Sequence, residues 1–375
     1  MHLVESSRRI AIWRQTWMLA ALIAALVSTA WGQTAGAQGE SVLVAAVEPA
    51  PTPGTGVWVF AYFRQRYESR VEVDSDGKTH TVPLANPMRE ERLHLALSSD
   101  GRHWSPLNGN RPVWDRRLRD PFVGHAPDGR WRLLATGAGP GPRSDRHAGP
   151  VCLAATSPDL LQWEEARSLT LMQGVTDETG RPPRNIWAPE WFLNAATGDF
   201  VLLWASSFEN EGWRKSRLWF ARTRDWKTFT PAKVLFAPGY SVIDGTLIEN
   251  QGTFYLFHKE EEFGEKTGER RAIRLATSKH IEGPYTVHEG PLNHGQLAPV
   301  ITEGPCIMPD PTSAGWLLLY DYCMTDGYGL SSSSNLVQWT AETSVDFPPE
   351  ARHGSTAWLN AHEAAALRAS FPASR

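Results

Sequence analysis

The feature that most constrains this chain is a loose internal repeat of about sixty residues, met five times. Each unit opens on an apolar run: VWVFAYF at 57, RWRLLATG at 130, DFVLLWASS at 199, TFYLFHKEE at 253 and GWLLLYDYC at 315. A second run follows (RLHLALSSD, VCLAATSPD, SRLWFARTRD, AIRLATSKH, YGLSSSSN), and the unit closes on an aromatic: Trp104, Trp163, Phe229, Tyr285 or Trp339. The runs alternate apolar and polar residues and are bounded by turn formers such as Asp-Gly and Gly-Pro, the pattern of half-buried strands. Convincing helical periodicity is confined to the tail around Ala361 to Ala369. Such a unit cannot bury its apolar face alone, so copies must pack on one another. Four short strands in each of five units predict an all-β fold, a five-bladed β-propeller over residues 57–360 with a central active-site funnel. The spacing exceeds the ~40–50 residues usual for four-stranded repeats, which predicts longer loops. The largest insertion, between Arg64 and Arg92, is charged and reads as a surface loop.

The stretch between a closing aromatic and the next unit should form the innermost strand. In each, one polar residue opens an apolar run: Asp120 in LRDPFVG, Glu190 in IWAPEWF, Asp244 in VIDGTLI, Glu303 in TEGPCIM and His353 in RHGSTAW. Taken as equivalent repeat positions, these side chains converge on one axis. Four are acids, and hydrolysis of a glycosidic bond needs a carboxylic acid on one side of the sugar and a carboxylate on the other. A third carboxylate can push the two pKa values apart. Asp-Pro and Asp-Gly also form turns, so any one acid alone reads as a cap. Three acids at matched positions favour a site.

Composition removes other classes. The net charge of −4 gives no basic surface for nucleic acid. The chain has no G-x-G-x-x-G opening a helix, no C-x-x-C, no H-E-x-x-H and no G-x-S-x-G. Seventeen Trp and fourteen Phe suit both large β cores and sugar stacking. Of the three cysteines, Cys306 and Cys323 flank a predicted hairpin. Antiparallel pairing sets Cys306 against Leu319 or Tyr320 and Cys323 near Thr302 or Glu303, so buried thiols are expected in place of a disulfide.

Arg8, Arg9 and Arg14 precede the apolar stretch from Trp17 to Ala30, and Ala35-Gly36-Ala37 fits a cleavage site. Residues 1–37 therefore read as a signal peptide, with an uncleaved anchor as the alternative, and 38–56 as a linker. The expected location is secreted or periplasmic, with no membrane attachment after cleavage. Residues 361–375 form a C-terminal tail.

LRDPFV, WAPEWF, IDGTLIENQGTFYLF and EGPCI, in this order on a five-unit frame, resemble glycoside hydrolase family 43 over roughly residues 57–358. The resemblance implies a five-bladed propeller and an inverting glycosidase acting mainly on arabinofuranosides and xylosides, with an oligo- or polysaccharide as substrate. It assigns Asp120 as general base, Asp244 as pKa modulator and orienter, and Glu303 as general acid. Trp187, Glu190, Lys259, Glu260, Arg352 and His353 are candidate substrate-binding residues. Glu190 has an ion-pair reading as an alternative, and Lys259 and Glu260 a solvated-charge reading. No cofactor is required, although His353 resembles a central-channel histidine that in some members lies near a structural calcium ion. The family's base motif usually comes early, whereas residues 57–104 precede Asp120 here. That segment is expected to complete a blade. An α-L-arabinofuranosidase-like specificity is favoured over a β-xylosidase or a galactosidase or galactofuranosidase. A non-catalytic carbohydrate-binding propeller and a retaining fructosidase-like enzyme are the other readings. The latter lacks its W-x-N-D-P-N and E-C-P motifs. Exo or endo action and oligomeric state are not legible.

Overall fold

The computed structural model describes residues 56–73, 75, 76, 78–137, 149–211, 215–261, 271–288, 301–323 and 327–371. The expected signal peptide and nearly all of the expected linker lie outside the described residues. The N-terminal strands are β1 (Gly56–Arg66), β2 (Ser69–Val73), β3 (Thr79–Pro83), β4 (Met88–Ser98) and β5 (Ser105–Pro106). Four strands follow in the next blade: β6 (Trp114–His125), β7 (Trp131–Gly137), β8 (Cys152–Ser157) and β9 (Arg167–Leu169). The next holds β10 (Trp187–Asn194), β11 (Asp199–Ser206), β12 (Arg217–Thr223) and β13 (Lys233–Phe236). After it come β14 (Val242–Asn250), β15 (Thr253–Glu260), β16 (Ile273–Ser278) and β17 (Thr286–Val287), then β18 (Thr302–Pro309), β19 (Trp316–Tyr322), β20 (Tyr328–Ser333) and β21 (Thr340–Ala341). The chain ends with β22 (Ala351–Asn360) and α1 (Ala361–Ser370).

Neighbouring strands within each blade are antiparallel. The remaining blade takes its inner strand, β22, from the C-terminal end and β1, β4 and β5 from the N-terminal end. Residues 57–104 thus complete a blade. The inner strands β6, β10, β14, β18 and β22 each contact the next, and β22 contacts β6. The fold is a five-bladed β-propeller.

The repeat signature has a local cause. In four units the residue three places before a positive-φ residue is Ser98, Ser157, Thr223 or Ser333, and it precedes a short turn anchored by Asp100, Asp159, Asp225 or Asn335. The acid or amide oxygen accepts two backbone N–H groups just downstream, as Asp159 does from Leu161 at 2.9 Å and Gln162 at 2.7 Å. Gly101, Leu160, Trp226 and Leu336 take positive φ at this turn. Three closing tryptophans then donate their indole N–H to the carbonyl three residues back, at 2.9 to 3.2 Å. This buries a large ring between blades without stranding its polar atom.

Two expectations are revised. The insertion between Arg64 and Arg92 is not merely a loop, because β2 and β3 pair within it as a hairpin. The five polar residues of the inner strands are also not register-equivalent. Every inner strand carries a bulge at the same level, between Arg119 and Phe122, Trp187 and Glu190, Ile243 and Thr246, and Glu303 and Cys306, and where Arg352 to Ser355 opposes Phe63 to Ala61. Aligned on that bulge, Asp120, Ala188, Asp244, Gly304 and His353 are the true equivalents. Glu303 sits one residue earlier and Glu190 two residues later. The common mark is the next residue, Pro121, Pro189, Gly245, Pro305 or Gly354. Gly354 is required by space, since a Cβ there would lie 2.1 Å from the carbonyl oxygen of Ala61 on β1.

The tail is helical as expected, and Asn360 caps α1 by accepting from the Glu363 N–H at 3.0 Å. Cys306 faces Leu319, and Cys323 N–H donates to the Ile301 carbonyl at 2.9 Å. All three cysteines are free and buried. Among the described residues, no helix is long and apolar enough to cross a membrane.

Candidate active site

A bulge puts an extra residue into one strand and re-aims its side chain. Asp120, Ala188 and Asp244 adopt φ of 49°, 43° and 50° at this point. Left-handed backbone of this kind costs about 1–3 kcal/mol per non-glycine residue and persists where surrounding structure imposes it. It turns Asp120 and Asp244 into a pocket of about 180 Å³ on the propeller axis. Glu303, His353, Arg119, Thr136 and Asp321 form the rest of the polar wall, with Trp187, Phe63 and Ile243 as its apolar part. The three acids from three separate blades therefore meet in one cavity.

Each acid is held differently. Asp120 Oδ2 accepts from the Thr136 hydroxyl at 2.6 Å, and that hydroxyl in turn accepts from the Ala188 N–H at 2.8 Å. Asp244 Oδ2 accepts from the Gly304 N–H at 3.2 Å. The His353 Nδ1 lies 3.7 Å from Asp120 Oδ1 and 3.9 Å from Asp244 Oδ1, so it sits between the two. Glu303 accepts from Lys259 Nζ at 2.8 Å on one oxygen and from the Tyr67 hydroxyl at 3.2 Å on the other.

These surroundings split the acids electrostatically. Burial dominates at Asp244 and, with the negative charges of Glu303 and Asp120, outweighs His353 and Lys259, raising its carboxyl to about 6. Burial also raises Asp321, which faces Glu303 across the β18–β19 ladder, to about 7, with the Glu303 charge adding to it. At Glu303 burial pushes the same way, but the Lys259 ammonium and its hydrogen bond prevail and hold the carboxyl below the usual range.

Of the expected substrate-binding residues, only Trp187 and His353 line this pocket. Lys259 is 1% exposed and shared between Glu303 and Glu261, each at 2.8 Å. Glu260, one residue on, points to the other face of its strand and binds Arg274 at 2.7 Å. Arg352 is 1% exposed and donates to the carbonyls of Gln65 and Tyr322, each at 3.2 Å, with its guanidinium 4.6 Å from the Tyr67 ring centre. These three act behind the wall, not as a rim. Glu190, two residues past the bulge position, lines a different cavity. Burial sets aside the solvated-charge reading of Lys259 and Glu260, which are both held in ion pairs, and no ion pair of Glu190 is found among the described residues.

Sequence reasoning missed Tyr67, Phe63, Arg119, Thr136 and Asp321. Tyr67 lies in the insertion, which carries no repeat signal. Thr136 and Asp321 sit on second strands directly opposite the inner-strand residues Arg119 and Glu303. Strand pairing applied to the repeat would have found both.

The family model described as "Probable glycosyl hydrolase domain", a family 43-related group, matches residues 84–365. The chain belongs to this family. The hydrolase is similar in fold to solved structures of low identity. A Bacteroides thetaiotaomicron endo-1,4-β-xylanase is 14% identical, with 77% of this chain and 97% of that chain covered and a TM-score of 0.47. The Coprinopsis cinerea family 62 α-L-arabinofuranosidase catalytic domain is 14% identical, with 78% and 77% covered and a TM-score of 0.45. The Bacillus subtilis arabinanase is 14% identical, with 63% and 80% covered and a TM-score of 0.45. No curated protein matches the chain.

Calcium takes six to eight oxygen ligands. Among the described residues no group of three or more His, Cys, Asp or Glu side chains is placed to hold a metal ion.

The raised Asp244 carboxyl has a consequence for stability. The folded hydrolase binds this proton more tightly than the unfolded chain, so ionising Asp244 destabilises the fold as pH rises from about 3.8 to about 6. Asp244→Asn is expected to match the parent's melting temperature below this window and to exceed it at pH 8, while hydrolysis falls. Melting curves at pH 3 and pH 8 check this, and a lower melting temperature at pH 8 would contradict it.

Proposed function

We propose that the hydrolase cleaves glycosidic bonds of plant-type or related oligo- or polysaccharides with inversion at the anomeric carbon, α-L-arabinofuranosides foremost. The observation that carries the reading is the convergence of Asp120, Asp244 and Glu303 in one pocket from three blades. Asp120 serves as the base. Its Thr136 hydrogen bond fixes one oxygen, and the other is the one nearer His353, leaving a carboxylate oriented to take a proton from the attacking water. Glu303 serves as the acid for the leaving oxygen, and Asp244 orients the sugar and supplies negative charge beside both.

Glu303 is ionised in the empty pocket, yet a donor must carry a proton. The acids are close enough to titrate as a set. Asp244, whose pKa is raised to about 6, holds a proton more readily than Glu303 at mildly acidic pH. A sugar that fills the pocket excludes water and deepens the burial of Glu303, which is already the largest influence on that group and favours its protonated form. Lys259 opposes this. Lys259→Met is therefore expected to move the basic limb of the kcat/KM–pH profile upward, because Glu303 then stays protonated to higher pH. An unmoved limb would separate Lys259 from donor control.

The arabinofuranoside preference rests on the LRDPF and RHG forms, which arabinosidase-like members share. A panel of aryl arabinofuranosides, xylosides and galactosides is the direct check of the sugar. Proton NMR of the first product anomer tests the stereochemistry: the opposite anomer supports inversion, whereas retention requires a covalent intermediate and would sink the base role of Asp120. Export is part of the same reading, because polymeric substrates of this class lie outside the cell and the N-terminal stretch has the form of a signal.

A further inference from the structure

The bulge that turns Asp120 and Asp244 into the acid pocket sends the residues two places on elsewhere. Phe122, Glu190, Thr246, Cys306 and Ser355 share that register, one per inner strand, and all five line a second cavity of about 420 Å³. It shares no lining residue with the acid pocket. Its size falls in the range of small-molecule sites, which are mostly apolar with a few placed polar groups. Trp58, Trp191 and Trp358 supply flat aromatic wall.

Two polar atoms at this wall have no hydrogen-bond partner among the described residues, Glu190 Oε2 and the Trp58 indole N–H. Glu190 is 6% exposed. Burial, and then the charge of Asp244, drive its carboxyl well above the usual range, although a hydrogen bond with Thr246 opposes them. Burial thus favours the protonated form of Glu190. A protonated carboxyl both donates and accepts, which matches a hydroxyl group. An anion would meet Glu249 on the same wall.

We propose that this second cavity is a binding site for a small neutral aromatic compound bearing a hydroxyl, seated on the tryptophans with its hydroxyl at Glu190. It shares no lining residue with the acid pocket, and its test does not depend on the catalytic reading.

The test is a ligand-detected NMR titration of the full chain at pH 7 with benzyl alcohol, toluene and benzylammonium. Benzyl alcohol is expected to bind about five- to tenfold more tightly than toluene, the value of one hydrogen bond. Glu190→Leu removes that preference and Glu190→Gln, which can still donate and accept, keeps it. Trp358→Ala, at a partly buried position, weakens both neutral ligands and provides the test if Glu190→Leu fails to fold. Absence of binding by benzyl alcohol, tightest binding by benzylammonium, a preference that survives Glu190→Leu, or affinity unchanged by Trp358→Ala would each overturn the proposal.

Discussion

Glu303→Gln is expected to lower kcat/KM by about 10³-fold on a substrate whose leaving group is a sugar, within the ~10²–10⁴ usual for general acid catalysis. A sugar alkoxide is a poor leaving group and cannot depart without a proton. 4-Nitrophenolate is stable as an anion, so the same variant should lose far less on an aryl glycoside. The contrast between the two substrates is the diagnostic. Glutamine keeps the shape and the hydrogen-bonding reach toward Lys259 and Tyr67 but carries no transferable proton. Equal losses on both substrates would remove Glu303 from the donor role and suggest a purely structural part in the Lys259 ion pair.

Asp120→Asn is expected to cost about 10³-fold on both substrates alike, because activation of the attacking water does not depend on the leaving group. Asparagine preserves the contact with the Thr136 hydroxyl and tolerates the left-handed backbone at this position. Folding should survive, and melting temperature is the control. The two variants thus give opposite patterns from neighbouring carboxyls in one pocket: leaving-group dependence at Glu303 and none at Asp120. A leaving-group-dependent loss at Asp120 would reverse the two assignments.

Most of the architecture was legible because the repeat is written in turn chemistry. Ser98-Ser99-Asp100-Gly101 and its relatives mark the same turn wherever they occur, since only a short side chain with a carboxylate or amide oxygen can accept two backbone N–H groups just downstream. The inner strands were also found, and with them the three acids. Their exact alignment was not. Glu190 was matched to Asp120 by the eye's preference for a carboxylate, whereas the backbone aligns on the proline or glycine that follows the bulge. Placing Glu190 two residues out of register moved it to another cavity. Lys259 and Arg352 read as pocket residues because they adjoin the motifs, but a long cation can reach an acid from behind the wall, and burial decides which it does.

The sequence by itself determined the number of blades, the strand order within each, and which acids stand on the inner strands, because periodicity and turn residues act over a few positions. Only the tertiary structure decided which cation meets which acid, that Tyr67 reaches Glu303 across 236 residues, and that burial raises the Asp244 carboxyl while Lys259 lowers that of Glu303. Those outcomes depend on burial and on distances of a few ångströms between blades, and neither quantity exists until the ring of strands is assembled.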